Sequence, residues 1–295
     1  MQGKQDATGT IAIVTDATAD VPPAERDPAM GIPWRVVAET WRTPDGLEFL
    51  DDGSDSRELV ALALESGLDP EPSEPSRDDF IGAYEHLREI DRVFSIHAPA
   101  KASWAVEHAR EAAGAFPNVR VIETNVTGIG LGLLAARARD MSLAGAGPDD
   151  VERWLRRHRE AVKMLVVPDR FDPMASQRGL SARLLAGRSM LHSGEGSATF
   201  DRSRRLRTRR ATVAAIERYF LEHTSDDDST VLHLALAHGD AAGAVDPFLD
   251  LLERMRPHAE VSLIGRVGPR LIQQLGARCV AAAWVEEIPE PQGDD

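Results

Sequence analysis

The stretch IAIVTDATAD, residues 11–20, decides the fold class of this chain. Its first four residues are apolar or small without a polar interruption, which is typical of a short buried strand. The strand ends on Thr15 and Asp16, and a second carboxylate, Asp20, follows four residues after the first. Two interpretations are open: a first strand that leads into a capped turn, or the floor of a ligand site.

The composition indicates a globular protein with a substantial core. With 295 residues, of which 42% are hydrophobic, the chain is long enough for one large or two medium domains. Its net charge of −14 argues against a dedicated nucleic-acid binder, which usually carries a basic face. The single cysteine, Cys279, excludes an internal disulfide and fits a reducing compartment. Since the sequence shows neither a secretory signal nor a membrane-spanning apolar run, we expect a cytoplasmic protein.

Beyond the opening strand, apolar runs alternate with segments of helical periodicity. Strands are predicted at GIPWRVVAETW, DRVFSIHA, VRVIETN, STVLHLALAHG, AEVSLIGRV and ARCVAAAWVEE. Helices are predicted at SRELVALALESG, SRDDFIGAYEHLREI, ASWAVEHAREAAGAF, GIGLGLLAARARDMSLAGA, RATVAAIERYFLEHT and VDPFLDLLERMRP. Because strands that alternate with helices favour parallel pairing, the sequence predicts an α/β fold with a mainly parallel sheet.

The character of the sequence changes near residue 165. Residues 171–210 are rich in Arg, Ser and Gly and show little periodicity. We therefore predict two α/β domains, residues 1–165 with a mainly parallel sheet flanked by helices and residues 166–288 with a mixed sheet and helices. Residues 289–295, which are short of apolar side chains, are predicted to form a disordered tail.

The usual signatures of autonomous enzymes are missing. The chain contains no G-x-x-x-x-G-K-[ST], no G-x-S-x-G and no H-E-x-x-H. GIGLG at residues 128–132 resembles a dinucleotide loop, but its third glycine is misplaced. The nine histidines lack the spacing of metal ligands. We therefore expect no catalytic residues, no metal and no cofactor.

Polar side chains at predicted strand ends are more informative. In open α/β sheets, ligands lie in the crevice beyond the carboxyl ends of the strands. The hydroxyls and carboxylate at such ends are Thr15, Asp16, Ser73, Ser76, Ser103, Thr124 and Thr127. Each of them also suits a helix cap. If several converge, they form an anion site of hydroxyls and helix N-termini.

At these same positions the chain resembles the DegV family of lipid-binding proteins. IAIVTDATADVPP is similar to the family's I-x-I-V-T-D-S-x-A-D-L-P, and PEPSEPS to its P-x-T-S-Q-P-S. FSIHAPAKASWAVEHA lies where the family has S-I-x-I-S-S-x-L-S-G-T-Y-Q-S-A, and VRVIETNVTGIGLGLLAARA tracks its V-x-V-I-D-S-x-x-x-S-x-G-L-G-x-L-V-x-x-A. RLRTRRAT resembles V-R-T-x-x-K-A, and IGRVGPR sits on H-x-G-P-G. The motifs occur in the family's order over about residues 10–285.

The resemblance implies a carrier of one long-chain fatty acid, with its tail buried between the two domains and its carboxylate at their junction. It also implies presentation of the acid to a fatty acid kinase, which makes an acyl phosphate. The arginine-rich stretch at residues 202–210 suits a transient contact with an anionic membrane surface when lipid is loaded. Ser103 matches the serine of the family's S-G-T, and Arg266 stands in place of its histidine in H-x-G-P-G. The expected contacts to the carboxylate are Ser103, Arg266, Ser73 and Trp104. The expected loops around the site contain Thr15, Asp16, Thr124 and Gly268.

Several positions depart from the family pattern. Pro72 replaces a threonine, Trp104 replaces the glycine after the key serine, and Ala17 replaces the serine of D-S. Arg178 and Arg207 correspond to arginines that the family uses near the head group and the kinase. These departures are compatible with a re-tuned site and also with a loss of lipid binding.

Three classes of function therefore remain open. The first is the lipid carrier, and the second is a DegV-fold regulatory or interaction protein that has lost or changed its ligand. The third is a hydrolase, which requires His97 within hydrogen-bond reach of Ser103 with Asp16 behind it. The arginine cluster RSRRLRTRR, residues 202–210, is read as a solvated loop and helix start or as a surface for an anionic partner, and nucleic acid is disfavoured because no aromatic residues accompany it.

Overall fold

The computed structural model describes residues 9–53, 56–168, 188–193, 200–206, 209–227, 229–239 and 242–287. The strands are β1 (Ile11–Asp16), β2 (Trp34–Val37), β3 (Glu39–Arg42), β4 (Glu48–Asp51), β5 (Glu71–Ser73), β6 (Arg92–His97), β7 (Val119–Glu123), β8 (Lys163–Val167), β9 (Arg188–Ser193), β10 (Phe200–Leu206), β11 (Val231–His238), β12 (Glu260–Arg266) and β13 (Val280–Glu287). The α-helices are α1 (Ser56–Glu65), α2 (Arg77–Glu85), α3 (Ala105–Ala113), α4 (Ile129–Leu143), α5 (Pro148–His158), α6 (Arg209–Glu222), α7 (Asp246–Met255) and α8 (Pro269–Leu275).

The first sheet contains β1 at its centre. Its order is β2-β1-β6-β7, and every neighbouring pair is parallel. Ile11 and Ile13 face one hydrophobic cluster, whereas Ala12 and Val14 face a second cluster under α2 and α3. Because successive side chains of a strand point to opposite faces, the uninterrupted apolar run buries β1 on both sides. The predicted parallel sheet is confirmed.

The second sheet is mixed. Its order is β10-β9-β8-β13-β11-β12, in which β11 pairs in parallel with β12 and in antiparallel with β13. β8, β9 and β10 continue the sheet by antiparallel pairing. The mixed sheet with helices is therefore confirmed. The predicted boundary at residue 165 falls inside β8, all of which pairs with β13, and the division into two domains stays a prediction.

Helix α4 packs between the two sheets. Ten of its residues are buried, from Ile129 to Arg139, and it contacts β1 and β6 on one side and β11, β12 and β13 on the other. A Cβ at Gly132 would lie 2.6 Å from the carbonyl oxygen of Ala19, so only glycine allows this approach. One hydrophobic core consequently continues from the first sheet through α4 into the second.

A small antiparallel sheet covers the carboxyl end of the first one. Its order is β4-β3-β5, and Glu39 of β3 is the register partner of Asp51 of β4. The sequence prediction of a single strand at GIPWRVVAETW is wrong, because the run divides at Ala38 into β2 of the first sheet and β3 of the small sheet. No helix among the described residues combines the length and apolar character needed to cross a bilayer.

Candidate functional site

A cavity of about 350 Å³ lies beyond the carboxyl ends of β1 and β6. From β1 the chain continues to β2 on one side, and from β6 it continues to β7 on the other, so the two strands flank a topological switch point. The lining residues are Ala17, Thr18, Asp20, Glu39, Asp51, Ala98, Ala102, Ser103, Thr127, Gly128, Pro269, Arg270, Leu271 and Gln274. We call it the Ser103 cavity.

Ser103 is the predicted contact residue that lines this cavity. Its side chain is 3% exposed, and its Oγ accepts a hydrogen bond of 3.2 Å from the backbone N–H of Ala105 at the start of α3. This local bond fixes the turn into α3, whose N-cap residue is Trp104 and not Ser103. The hydroxyl hydrogen remains available as a donor to a ligand oxygen.

Below the cavity floor lies a buried chain of hydrogen bonds. Asp16 Oδ2 lies 2.6 Å from His97 Nδ1, and His97 Nε2 lies 2.7 Å from Ser95 Oγ. Ser95 Oγ lies in turn 2.7 Å from the hydroxyl oxygen of Tyr84. Burial by itself raises the pKa of Asp16, but the hydrogen bonds from His97 and Thr18 outweigh it and hold this pKa below its ordinary value.

This geometry does not support the hydrolase hypothesis. His97 has the predicted carboxylate, Asp16, behind it, but its other ring nitrogen is bonded to Ser95 and not to Ser103. Ser95 and His97 are completely buried, so a substrate has no access to them. The chain of hydrogen bonds instead fixes the ends of β1 and β6, from which the cavity is built.

Arg266, another of the predicted contacts, lines a neighbouring cavity of about 80 Å³ and not the Ser103 cavity. Its Nη1 lies 3.1 Å from Glu58 Oε1. The two cavities share four lining residues, Ala17, Asp20, Asp51 and Pro269, and therefore meet at a common wall.

Arg270 is the arginine that lines the Ser103 cavity, and the sequence analysis missed it. It forms a fork with Glu39, with distances of 2.9 Å from Nε to Oε2 and 2.7 Å from Nη2 to Oε1, and its Nη2 also lies 3.3 Å from Glu74. A signal was present in the sequence: Arg270 stands where the family pattern H-x-G-P-G ends on glycine.

Three carboxyl groups line the Ser103 cavity and were not predicted as a group. Asp20, Glu39 and Asp51 are all buried. Burial raises the pKa of Asp20 well above its ordinary value, and it raises the pKa of Glu39 to about 7 against the opposing effect of Arg270. The pKa of Asp51 is also raised, chiefly by burial, although Ser56 and Gly53 donate hydrogen bonds to it.

Asp20 sits between glycines from two parts of the chain. It adopts a left-handed conformation with φ of 54°, in which aspartate is more acceptable than most residues. A Cβ at Gly268 would lie 2.1 Å from its Oδ1, and one at Gly128 would lie 3.1 Å from its Oδ2. Gly268, a predicted loop residue, is therefore needed to leave room for the carboxylate.

The remaining predicted residues have separate positions. Thr15 accepts a hydrogen bond of 3.2 Å from Trp34 Nε1, and Thr124 donates to the carbonyl oxygens of His97 and Val126. Ser73 is exposed on β5, and neither it nor Trp104 is a lining residue of the Ser103 cavity.

Trp104 is 66% exposed, and its backbone N–H donates to Glu74. Arg178 and Arg207 lie outside the described residues. Within the described ranges, no group of three or more His, Cys, Asp or Glu residues is arranged to hold a metal ion.

Comparison with known proteins identifies the family that this chain matches. A family described as "Uncharacterised protein, DegV family COG1307" matches residues 10–287. A DegV domain-containing protein from Deinococcus radiodurans is 34% identical over 153 residues. This match covers 50% of the chain and 52% of the relative, so it spans about half the length of that protein.

Solved structures share the fold over nearly the whole chain. A DegV family protein from Thermus thermophilus, described as fatty acid binding, has a TM-score of 0.76 at 23% identity and covers 94% of this chain and 100% of its own. The fatty acid kinase B3 protein of Streptococcus pneumoniae, loaded with linoleic acid, has a TM-score of 0.73 at 18% identity and covers 94% of this chain and 99% of its own. At such identities the similarity establishes the fold.

Proposed function

The chain belongs to the DegV family, and from that premise we propose that it binds a single long-chain fatty acid whose carboxyl group occupies the Ser103 cavity. The observation that carries the proposal is the position of this cavity, at a topological switch point and next to the serine that matches the family's S-G-T. The solved neighbours described as fatty acid binding or loaded with linoleic acid support the same ligand class.

The polar lining suits a carboxyl group. Ser103, Thr18 and Thr127 bring hydroxyls to the cavity, and Arg270 brings a guanidinium. Arg266 lies in the smaller cavity, and we propose that it reaches the head group across the wall that the two cavities share. Thr15, Asp16, Thr124 and Gly268 are proposed to hold the surrounding loops in place.

The tail is proposed to lie between the N-terminal and C-terminal domains. Each buried methylene contributes about 0.8 kcal/mol, so some fourteen contribute on the order of 11 kcal/mol before ordering costs. Micromolar affinity requires about 8 kcal/mol. The tail therefore provides most of the affinity, and the head group sets orientation and specificity.

The protein itself is proposed to be non-catalytic and cytoplasmic. It would present the bound acid to a fatty acid kinase, with Arg178 and Arg207 facing the kinase or its phosphate, and would touch a membrane surface briefly when it loads or releases lipid. The kinase component among the solved neighbours supports this role. We do not propose a nucleic-acid partner, because a net charge of −14 opposes binding to a phosphate backbone.

Native mass spectrometry of the protein purified from a bacterial host, followed by lipid extraction, tests the proposal. We expect a stoichiometric adduct of fatty-acid mass that falls sharply in Ser103→Ala and in Arg266→Ala. Ser66→Ala, which removes an exposed hydroxyl after α1, is the matched control and should keep the adduct. A clean apo mass that added hexadecanoate does not shift would contradict fatty acid binding and favour a DegV-fold protein that has lost its ligand.

A further inference from the structure

The Ser103 cavity carries an excess of acidic groups. Asp20, Glu39 and Asp51 line it, whereas among the residues that the structure describes Arg270 is the one cationic side chain in its lining. Glu39 and Asp51 are direct register partners in the small sheet, a placement that is unfavourable when both are ionised. A bound carboxylate would add a further negative charge to this lining.

Two of the described cationic side chains around the cavities, Arg270 and Arg266, already have acidic partners, and Arg57 also lines the smaller cavity. Arg270 is shared between Glu39 and Glu74, and Arg266 of the smaller cavity is paired with Glu58. An anionic head group that approached either guanidinium would compete with these carboxylates. Neutralisation by arginine alone is therefore an incomplete account of how an acid is held here.

Asp20 has an oxygen that is not engaged by the protein. Asp20 is 8% exposed, the backbone N–H of Gly268 donates to its carboxylate, and Oδ2 has no hydrogen-bond partner within the described part of the chain. Asp20 lines both cavities. A buried polar atom without a partner costs free energy, so a ligand group that pairs with Oδ2 gains what the free protein lacks.

We infer, on the basis of the proposed fatty acid binding, that the Ser103 cavity takes up its lipid together with one proton, which Asp20 Oδ2 shares with the carboxylate of the lipid. Two carboxyl groups that share one proton form a short, strong hydrogen bond, and together they carry one negative charge instead of two. A head group that stays ionised, such as a sulfonate or an acyl phosphate, places a second charge beside ionised Asp20 or accepts a weaker hydrogen bond from protonated Asp20. The site therefore favours lipids whose head group shares a proton over lipids whose head group stays ionised.

Charged groups from several elements surround Asp20 and act on its protonation. Glu39 of β3 and Asp51 of β4 favour the protonated form, and Arg57 of α1 opposes it. Further charged groups near this cluster include Asp16 and Arg270, which act on Glu39, and Asp52 and Arg270, which act on Asp51. Arg26 interacts with Asp51 and Asp52, and Arg266 lines the smaller cavity together with Asp20. Burial, the largest influence, raises the pKa of Asp20 and so favours the shared proton.

Calorimetric titration of the delipidated full-length protein tests the inference. Hexadecanoate and hexadecane-1-sulfonate, which have the same chain length, are compared at about pH 7.5 and about pH 8.5 in two buffers of different ionisation enthalpy. We expect that, at pH values above the pKa of Asp20 in the free protein, hexadecanoate takes up about one proton and its affinity falls by up to about tenfold per pH unit. At every pH, the sulfonate should bind at least about tenfold more weakly. Equal affinities for the two lipids, without proton uptake, would overturn the inference and leave fatty acid binding intact.

Asp20→Asn is the variant that isolates the shared proton. Asparagine tolerates the left-handed conformation, keeps an oxygen for the Gly268 N–H and places an amide donor where Oδ2 lies. We expect it to bind hexadecanoate without proton uptake and with little dependence on pH, and to bind the sulfonate more tightly than the unmodified protein does. Asp226→Asn, at an exposed position, should behave as the unmodified protein.

The outcomes separate this inference from the proposed function. If neither hexadecanoate nor the sulfonate binds the unmodified protein, fatty acid binding itself fails. If hexadecanoate binds and takes up a proton equally in Asp20→Asn, Asp20 is the wrong residue and the inference is overturned. The comparison of the two lipids in the unmodified protein does not require the variant to fold, so it decides the matter alone if Asp20→Asn is unstable.

Discussion

His97 has a hydrogen-bond partner at each ring nitrogen, Asp16 at Nδ1 and Ser95 at Nε2, inside a completely buried environment. Buried polar groups that are fully paired make the structure specific, but each becomes costly when its partner is removed. Asp16 also accepts a hydrogen bond from the backbone N–H of Thr18 and so fixes the turn that leads into the cavity. The residue is therefore placed to stabilise the site rather than to react in it.

We predict that Asp16→Ala lowers the free energy of unfolding by about 3–5 kcal/mol, because it leaves His97 Nδ1 and the Thr18 N–H buried without an acceptor. Tyr84→Phe removes one hydroxyl at the far end of the chain and should cost about 1 kcal/mol. Urea denaturation measures both, with exposed Asp226→Ala as the control. Because the pKa of Asp16 is lowered, its contribution is present above the ordinary value of 3.8 and is lost as the pH falls through the folded-state value. Equal decreases in the free energy of unfolding in the two variants would mean that Asp16 contributes no more to the hydrogen-bond network than the Tyr84 hydroxyl does.

At the scale of elements, α4 is decisive because it contacts both main sheets. Ten of its residues are buried, which leaves it without the single apolar face of a surface helix. Its approach to the turn after β1 depends on Gly132, where any Cβ would meet the carbonyl oxygen of Ala19. Gly132, the last glycine of the GIGLG stretch, thus allows a helix to pack closely against the turn after β1. This packing, and not a dinucleotide loop, accounts for the glycine at that position.

Gly132→Ala and Gly82→Ala are a matched pair of helix substitutions with opposite expected signs. Alanine favours a helix over glycine by roughly 0.5–1 kcal/mol, so Gly82→Ala in α2, with nothing within 4 Å of the added Cβ, should stabilise the protein. Gly132→Ala should destabilise it by about 1–3 kcal/mol, since backbone must move to admit the methyl group. Thermal unfolding followed by circular dichroism checks both signs. A gain of stability in Gly132→Ala would show that α4 can shift away from Ala19 at no cost.

At the scale of the whole molecule, one hydrophobic core unites the two main sheets. It contains Ile11 and Ile13 of β1, Leu133 of α4, and Ala235 and Ala283 of the second sheet. Two units that share a core of this kind lose apolar burial together when either one opens. The packing therefore favours a single cooperative unit over two independent domains.

We expect one unfolding transition in urea, with coincident midpoints for tryptophan fluorescence and far-ultraviolet circular dichroism. Trp34 and Trp41 report on the N-terminal sheets, whereas Trp284 reports on the second sheet. In Trp284→Phe and in Trp34→Phe alike, the midpoint from fluorescence should coincide with the midpoint from circular dichroism. Two separated transitions would instead support independent domains divided near residue 165.

The pattern of apolar residues predicted most elements of the described structure but not which sheet each strand joins. The Ser76 cap of α2 was predicted and forms a full capping box with Asp79, since capping is a local interaction. In contrast, the strands β4, β5, β8, β9 and β10 and the helices α5 and α8 were missed. The shortest of these strands, such as EFLD and EPS, carry too little periodicity to be recognised. The division of GIPWRVVAETW between two sheets depends on contacts far along the chain, and periodicity does not record them.

The site divides in the same way. Ser103 and the strand-end position of the cavity follow from the sequence, because parallel strands bring their carboxyl ends to one edge. The sequence does not tell that Arg270, and not Arg266, lines the Ser103 cavity. It also does not tell that Asp20, Glu39 and Asp51 line this cavity together. Asp20 follows β1, Glu39 and Asp51 belong to β3 and β4, and Arg266 and Arg270 belong to β12 and α8. They are up to 250 positions apart (Asp20 to Arg270).

By itself, the sequence determined the elements, the parallel sheet, the family and one serine of the site, because local periodicity, capping and short motifs are encoded among neighbouring residues. Only the tertiary structure decided which arginine lines the cavity and that three carboxyl groups face it. The protonation of those groups depends on burial and on the charges of distant segments, and neither exists before the chain has folded.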